Sequence, residues 1–291
     1  MRLRSPQCGD LLFARYTISM IDFNTPNARR MEVLGVVILV GLVLAFTVWY
    51  MATHKAPEPY TGIPVVATTT PEALPPKVVE EHGQYFDIEV SYPAETALKA
   101  SLGAEADLEA VTLMEDFVEE SVSEFKKQGN FENLTPEDVQ IMGLSEDRKE
   151  SIQIAYEEIR GENTVSYVYA LFVDTLGAHP NTFYRTFTFD LKTGVELDIT
   201  SLFVPRSDYL RRLSAISQFE LAKSLGEFAD VEYIGQGTKP EALNFQSFVI
   251  EDDELVLLFP PYQVAPYAAG SQEVSIPLEQ LEEILKPEYQ P

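Results

Sequence analysis

Apolar and polar residues alternate along several short stretches of the chain, and this period of two predicts β-strands. The stretch YFDIEVSYP at residues 85–93 places four apolar side chains on one face and acidic or hydroxyl side chains on the other. We expect each strand of this kind to bury one face. The other stretches are ESIQIAYEEIR (150–160), TVSYVYALFVDT (164–175), TFYRTFTFD (182–190), VELDIT (195–200), NFQSFVI (244–250), ELVLLFP (254–260) and QEVSIP (272–277).

Between these stretches the apolar period lengthens to that of a helix. Residues 105–127 form a long amphipathic segment, and residues 207–225 and 278–285 form two more. In the first segment we expect Leu108, Val111, Phe117 or Val118, Val122 and Phe125 to face inward; in the second, Leu210, Leu213, Ile216 or Ser217, and Leu221.

A short helix should also begin at TPEDVQIMG, because Thr135 suits the N-cap, Pro136 the first helical position and Asp138 the capping box. Strands grouped in hairpins with helices between the groups predict an α+β fold. We expect an antiparallel β-sheet built from hairpins, with helices packed on it.

One segment fits neither period. Residues 33–52 carry no charge, and a 20-residue helix is about 30 Å long, which matches the core of a bilayer. Arg29 and Arg30 precede the segment, so the positive-inside rule places the N-terminus in the cytoplasm. We therefore predict a single-pass signal anchor, with the C-terminal domain outside the cell. A cleaved signal peptide is the competing interpretation, but Pro57 follows the nearby small-residue site and disfavours cleavage.

The anchor divides the chain into parts of different composition. Residues 1–32 are a short cytoplasmic segment, 53–80 a Pro- and Thr-rich stalk, and 81–291 an extracytoplasmic domain. After the anchor there are 16 basic and 43 acidic residues, a balance of −27. This charge argues against binding to nucleic acid and favours a basic partner. Cys8 is the only cysteine and precedes the anchor, so the exported part has no disulfide.

Motifs for catalysis, nucleotide binding and metal binding are absent from the sequence. The stretch EDDE at 251–254 lacks the spacing of an EF-hand and is interpreted as a solvated hairpin tip, and GQGTKP at 235–240 as a loop. We expect no catalytic residues, no metal and no cofactor. His179, in GAHPN with Asn181, either fixes a turn or lines a cleft as a ligand contact or general base.

The uncharged stretch PPYQVAPYAAG, residues 260–270, is the strongest candidate for a binding surface. It is too long for a tight hairpin loop, and its prolines restrict the backbone. The tyrosines either pack on the sheet or face a partner. The candidate ligand-binding residues are Pro261, Tyr262, Pro266, Tyr267, His179 and Asn181, with Tyr262 expected to be structural and Tyr267 exposed.

The segments GAHPNTFYRTFTFDLKTGVELDITSLF and NFQSFVIEDDELVLLFPPYQVAPYAAGSQEVSIPLEQL, and the spacing between them, resemble the bacterial domain of unknown function 3298. This domain occurs in the ectodomain of the lysozyme-sensing anti-sigma factor RsiV and in the non-catalytic part of the peptidoglycan deacetylase PdaC. The resemblance covers about residues 85–285 and implies an α+β extracytoplasmic domain on a membrane tether. We do not extend it to a sigma-binding or deacetylase domain, since we recognise neither in this sequence.

Together these features predict a non-enzymatic, membrane-anchored binding or sensing domain of the cell envelope. Its expected partner is a basic, lysozyme-like protein or a cell-wall component, with the lipid bilayer contacted through residues 33–52. Two alternatives stay open. One is a hydrolase of cell-wall glycan that uses His179 and a carboxylate, and the other is a structural envelope protein that binds no ligand.

Overall fold

The computed structural model describes residues 76–291, so the predicted anchor at 33–52 and the segment before it lie outside the described residues. Within that range, every helix is too short or too polar to span a lipid bilayer. Strands β1 to β9 span Lys77–His82, Phe86–Tyr92, Glu150–Arg160, Thr164–Asp174, Asn181–Asp190, Glu196–Leu197, Phe248–Glu251, Glu254–Phe259 and Gln272–Pro277. Helices α1 to α5 span Leu98–Leu102, Ala104–Gly129, Pro136–Met142, Tyr209–Ser224 and Val231–Gly237.

The α+β class is confirmed, but the arrangement of strands differs from the expected single antiparallel sheet. The larger sheet contains β1 to β6 in sequential order, and β7 to β9 form a second, three-stranded sheet. Strand β2 pairs with β3 in parallel, whereas the other neighbouring pairs of both sheets are antiparallel. Helices α1 to α3 lie between β2 and β3 in the chain. Such a crossover returns the chain to the starting end of the sheet, so the next strand runs parallel.

Helix α2 covers one face of the larger sheet. Its buried stripe includes Met114, Val118 and Phe125, and it packs on a core that contains Tyr167, Tyr169 and Phe187 of β4 and β5. Burying a side chain of this size contributes about 1.5–3 kcal/mol. The prediction that Leu108 faces inward was wrong, since 65% of its surface is exposed.

The inward stripe of α2 instead begins at Asp107. The carboxylate of Asp107 accepts hydrogen bonds from the backbone and hydroxyl of Thr96, which joins this helix to the segment before α1.

The smaller sheet packs against the larger one through a polar seam. Thr186 Oγ1 accepts from the backbone N–H of Phe248 at 3.2 Å and donates to the carbonyl of Gln246 at 3.3 Å. Thr188 Oγ1 donates to the carbonyl of Phe248 at 3.2 Å. The two hydroxyls thereby satisfy both backbone groups of the buried Phe248 in β7, which would otherwise lack partners.

A second hydrophobic core holds the smaller sheet against helices α4 and α5. It includes Leu213 and Leu221 of α4, as predicted, together with Ile234 and Phe259.

Four boundaries require correction, the first being the strand predicted at 244–250, which begins only at Phe248 after a 3₁₀ turn at Ala242–Phe245. The stalk was expected to run to residue 80, but β1 begins at Lys77 and pairs with β2, so residues 77–80 belong to the sheet. The predicted closing helix at 278–285 is a short 3₁₀ turn at Leu278–Gln280 followed by turns. The strand predicted at 195–200 contains only Glu196–Leu197, because Ile199–Leu202 forms a 3₁₀ turn capped by Asp198.

Candidate binding site

The stretch 260–270 is anchored in the core at its centre. Val264 and Ala265 are 1% and 2% exposed and belong to the core beneath the smaller sheet. The side-chain amide of Gln263 donates to the carbonyls of Gly237 and Asn244 at 3.0 and 2.9 Å. The stretch is therefore fixed to the fold, and only the residues on either side of Val264 and Ala265 reach the surface.

Three rings meet where this stretch passes the hairpin loop between β4 and β5. The imidazole of His179 stacks on Tyr267 with ring centroids 3.8 Å apart and planes 16° apart. The ring of Tyr262 lies 5.8 Å from His179 and 5.6 Å from Tyr267. We call His179, Tyr262 and Tyr267 the aromatic cluster. The structure thus joins three of the six predicted site residues, although His179 is separated from the others by more than 80 positions.

Both ring nitrogens of His179 have a hydrogen-bond partner. Its Nδ1 lies 3.0 Å from the carbonyl of Pro180, which can only accept, so Nδ1 carries the proton. In the neutral imidazole, Nε2 is then the acceptor for the hydroxyl of Tyr262, 2.8 Å away. Within the described residues no carboxylate is hydrogen-bonded to this imidazole, so the pairing expected of a hydrolase is not formed.

Tyr262 adopts a backbone conformation that is uncommon for a tyrosine. Pro260 to Gln263 form a turn closed by a 3.1 Å hydrogen bond, with Pro261 second and Tyr262 third. The φ of Tyr262 is +71°, a value that type II turns usually assign to glycine at this position. Holding a non-glycine residue there costs on the order of 1–3 kcal/mol.

The expected roles of the two tyrosines were wrong. Tyr262 was expected to be structural, yet half of its surface, 50%, is exposed. Tyr267 was expected to be exposed, yet it is partly covered by His179. The turn at residues 260–263 explains this difference. It bends the chain away from the direction of strand β8, so the side chain of Tyr262 points towards solvent.

The remaining candidates do not join the rings of the cluster. Pro266 precedes a 3₁₀ turn at Tyr267–Ala269 and accepts a hydrogen bond from Ala269 N at 2.9 Å. Asn181 is the first residue of β5 and pairs with Val173. The far end of the stretch is fixed by Tyr184, whose hydroxyl donates to Ser271 at 3.0 Å.

A groove beside the cluster was missed by sequence reasoning. It is open, has a volume of about 570 Å³ and lies between helix α5 and the turn that carries Tyr262. The stretch 235–240 was interpreted as a loop, but residues 235–237 complete α5. Asp230 is the residue in the sequence that could have indicated the start of this helix. Its carboxylate caps α5 by accepting hydrogen bonds from the backbone N–H groups of Glu232 and Tyr233.

The acidic tip at 251–254 is a turn, as predicted. Glu251 ends β7, Glu254 begins β8, and Asp252 between them has a φ of +48°. Its backbone also forms an isolated bridge with Gly161 in the turn between β3 and β4.

Comparison with known proteins agrees with the resemblance found in the sequence. Residues 200–279 match the family described as "Protein of unknown function (DUF3298)", so the predicted resemblance to this family is confirmed over that range. The range includes α4, α5, the smaller sheet and the whole 260–270 stretch. A solved DUF3298 family member from Bacteroides fragilis has the same fold, with a TM-score of 0.51 and 18% identity over 74% of this chain and 93% of its own.

Two curated bacterial proteins are similar to parts of the chain. Peptidoglycan-N-acetylmuramic acid deacetylase PdaC of Bacillus subtilis is 33% identical over 143 residues, which are 49% of this chain and 31% of PdaC. Esterase Rv3036c of Mycobacterium tuberculosis is 33% identical over 114 residues, which are 39% of this chain and 49% of that protein. The chain therefore spans about a third of the first relative and about half of the second.

Proposed function

We propose that the protein is a membrane-anchored, extracytoplasmic binding protein of the bacterial cell envelope. The uncharged segment 33–52 behind Arg29 and Arg30 supports the anchor and its orientation. The similarity to PdaC, named for an activity on peptidoglycan, supports a place at the cell wall. The proposal concerns binding and not the reactions of the relatives.

The aromatic cluster is the observation that carries this proposal. Tyr262 is half exposed and is held by a hydrogen bond to His179 despite an unfavourable φ. Strained residues kept in place by their surroundings concentrate at functional sites. A rigid, exposed tyrosine offers a large contact area at little cost in entropy, and such residues often dominate binding energy.

The charge of the exported part favours a basic protein as the partner. A balance of −27 after residue 52 attracts a cationic protein and speeds its approach, while the uncharged cluster provides the contact. A lysozyme-like protein fits this description. A cell-wall component is the other ligand class that we consider.

The experiment measures the affinity of the full chain for lysozyme. We expect binding that weakens as salt rises, and a loss of about tenfold or more in Tyr262→Ala, as for an exposed contact residue. Phe219→Ala is the matched control, since Phe219 is an exposed aromatic on α4 and the change should leave affinity within about twofold. Equal affinities for the two variants would exclude the cluster as the contact, and no binding by the wild type would exclude this partner.

The topology has its own test. Protease added to intact spheroplasts should digest residues 76–291 and leave the short N-terminal segment protected. A domain that survives this treatment would contradict the proposed orientation.

Ester hydrolysis is the second candidate, favoured by the similarity to Esterase Rv3036c. The geometry gives it little support, because both ring nitrogens of His179 are engaged by Pro180 and Tyr262. We expect the full chain to hydrolyse p-nitrophenyl acetate no faster than buffer. Turnover that disappears in His179→Ala would replace the binding proposal with an enzymatic one.

A further inference from the structure

We propose that the groove beside the aromatic cluster binds a neutral saccharide chain. This goes beyond the protein partner proposed above and concerns different residues, apart from Tyr262, which borders both sites. The groove has a volume of about 570 Å³, within the range of ligand sites, and is open along one side. An open groove can accept a section of a long polymer, whereas a closed pocket accepts only a chain end or a small molecule.

The walls of the groove are preformed. The hydroxyl of Tyr233 on α5 donates to the carbonyl of Tyr262 at 3.0 Å, and the amide of Gln263 bonds the carbonyls of Gly237 and Asn244. A Cβ atom at Gly237 would lie 1.8 Å from the carbonyl oxygen of Gln263, so only glycine permits this approach. Helix and turn are thereby locked together, which lowers the entropic cost of binding.

The groups that line the groove match the two kinds of surface on a sugar. The lining includes two tyrosines, Tyr233 and Tyr262, and the electron-rich faces of such rings attract the C–H face of a pyranose. Gln236 and Asn244 also belong to the lining, and their side-chain amides both donate and accept, as sugar hydroxyls do; the Asn244 Nδ2 already donates to the carbonyl of Lys239 at 3.0 Å. Glu232 adds a carboxylate acceptor.

The same lining disfavours charged ligands. In the described part of the chain, none of the lining residues is Lys, Arg or His, and Asp230 and Glu232 would repel an anion. An ammonium or guanidinium group only donates hydrogen bonds. It would satisfy the carboxylates but would leave the amide N–H groups of Gln236 facing another donor. The hydroxyls of a neutral saccharide can both donate to the carboxylates and accept from the amide N–H groups.

The test is calorimetric titration of the full chain, in mild detergent, with a tetramer of N-acetylglucosamine. We expect saturable binding, at least fivefold weaker in Gln236→Ala. Val231→Ala is the control, because Val231 lies on the same helix with 82% of its surface exposed and does not line the groove. Thermal unfolding of each variant verifies that the groove is still folded.

Several results would overturn the assignment. One is the absence of binding heat when the folded wild-type protein is titrated with the sugar. Another is equal affinity of the wild type and Gln236→Ala for the sugar. The third is tighter binding of tetralysine than of the sugar in the same groove. The affinity of Gln236→Ala for lysozyme is measured in parallel. Because Gln236 lies outside the aromatic cluster, loss of sugar binding with intact lysozyme binding separates this inference from the proposed protein partner.

Discussion

Tyr267 lies flat on the imidazole of His179, with ring centroids 3.8 Å apart, and the same imidazole accepts a hydrogen bond from Tyr262. One residue of the β4–β5 loop therefore positions both tyrosines of the 260–270 stretch. Stacked aromatic pairs and neutral hydrogen bonds each contribute about 0.5–1.5 kcal/mol. His179 is consequently one link between the β4–β5 hairpin of the larger sheet and the candidate binding surface.

The two contacts of His179 can be separated by substitution. His179→Phe keeps a ring for Tyr267 but removes the acceptor for Tyr262, whereas His179→Ala removes both. We expect the free energy of unfolding to fall by about 1 kcal/mol in the first and about 1–3 kcal/mol in the second. Urea unfolding measures both values. Identical losses in the two variants would show that the stacking contributes nothing.

The strain at Tyr262 can be measured with a pair of variants. Tyr262→Gly and Tyr262→Ala both remove the ring, but only glycine adopts a φ of +71° without cost. We expect Tyr262→Gly to be more stable than Tyr262→Ala by about 1 kcal/mol or more, with equal loss of partner binding. Denaturant unfolding of the two proteins gives the difference. A more stable alanine variant would mean that the turn relaxes when the ring is gone.

Glu150 is predicted to destabilise the fold at neutral pH. Burial, and secondarily the charge of Asp174, raise the pKa of Glu150 above its ordinary value of 4.5. The folded state therefore holds this proton more tightly than the unfolded chain. The cost of ionising Glu150 is absent below the unfolded pKa and accumulates as pH rises to the folded pKa.

Glu150→Gln should raise the Tm at pH 7, and the gain should shrink as the pH falls towards about 4. Thermal unfolding across this range measures the effect, with Glu146→Gln, an exposed position, as the control. If the gain in Tm stays constant with pH, its cause is not the ionisation of Glu150.

Asp190 has the opposite dependence on pH. Burial would raise its pKa, but hydrogen bonds from Thr193, Lys192 and Tyr289 together outweigh burial and lower the pKa below its ordinary value of 3.8. Its stabilisation is therefore present above the unfolded pKa and is lost as pH falls through the folded pKa.

Tyr289→Phe removes the 3.0 Å hydrogen bond from the tyrosine hydroxyl to this carboxylate. We expect a loss of about 1.5–3 kcal/mol at pH 7, as for a hydrogen bond to a charged group, and a smaller loss in strong acid. Tyr85→Phe is the control, because the hydroxyl of Tyr85 is hydrogen-bonded only to the exposed side chain of Gln84. This substitution should change the free energy of unfolding by less than about 0.5 kcal/mol. Equal effects of the two substitutions at pH 7 would contradict the role given to Asp190.

Sequence alone determined the elements whose signals are local. The cap at Thr135, with Pro136 and Asp138, is formed as predicted, and β3 has the predicted bounds of 150–160. A capping hydroxyl and an alternating apolar face act within a few residues, so they can be identified without knowledge of the rest of the fold. The DUF3298 resemblance and the candidate residues of the 260–270 stretch also came from the sequence.

Tertiary structure decided which of these elements meet. The parallel pairing of β2 with β3 depends on where the α1–α3 crossover returns the chain, and the contact of His179 with Tyr267 joins positions 88 residues apart. The exposure of Tyr262 depends on a φ that its residue type disfavours. The groove exists because Gly237 allows α5 to approach Gln263. Each of these features is set by packing between distant segments, which a local pattern of residue types does not encode.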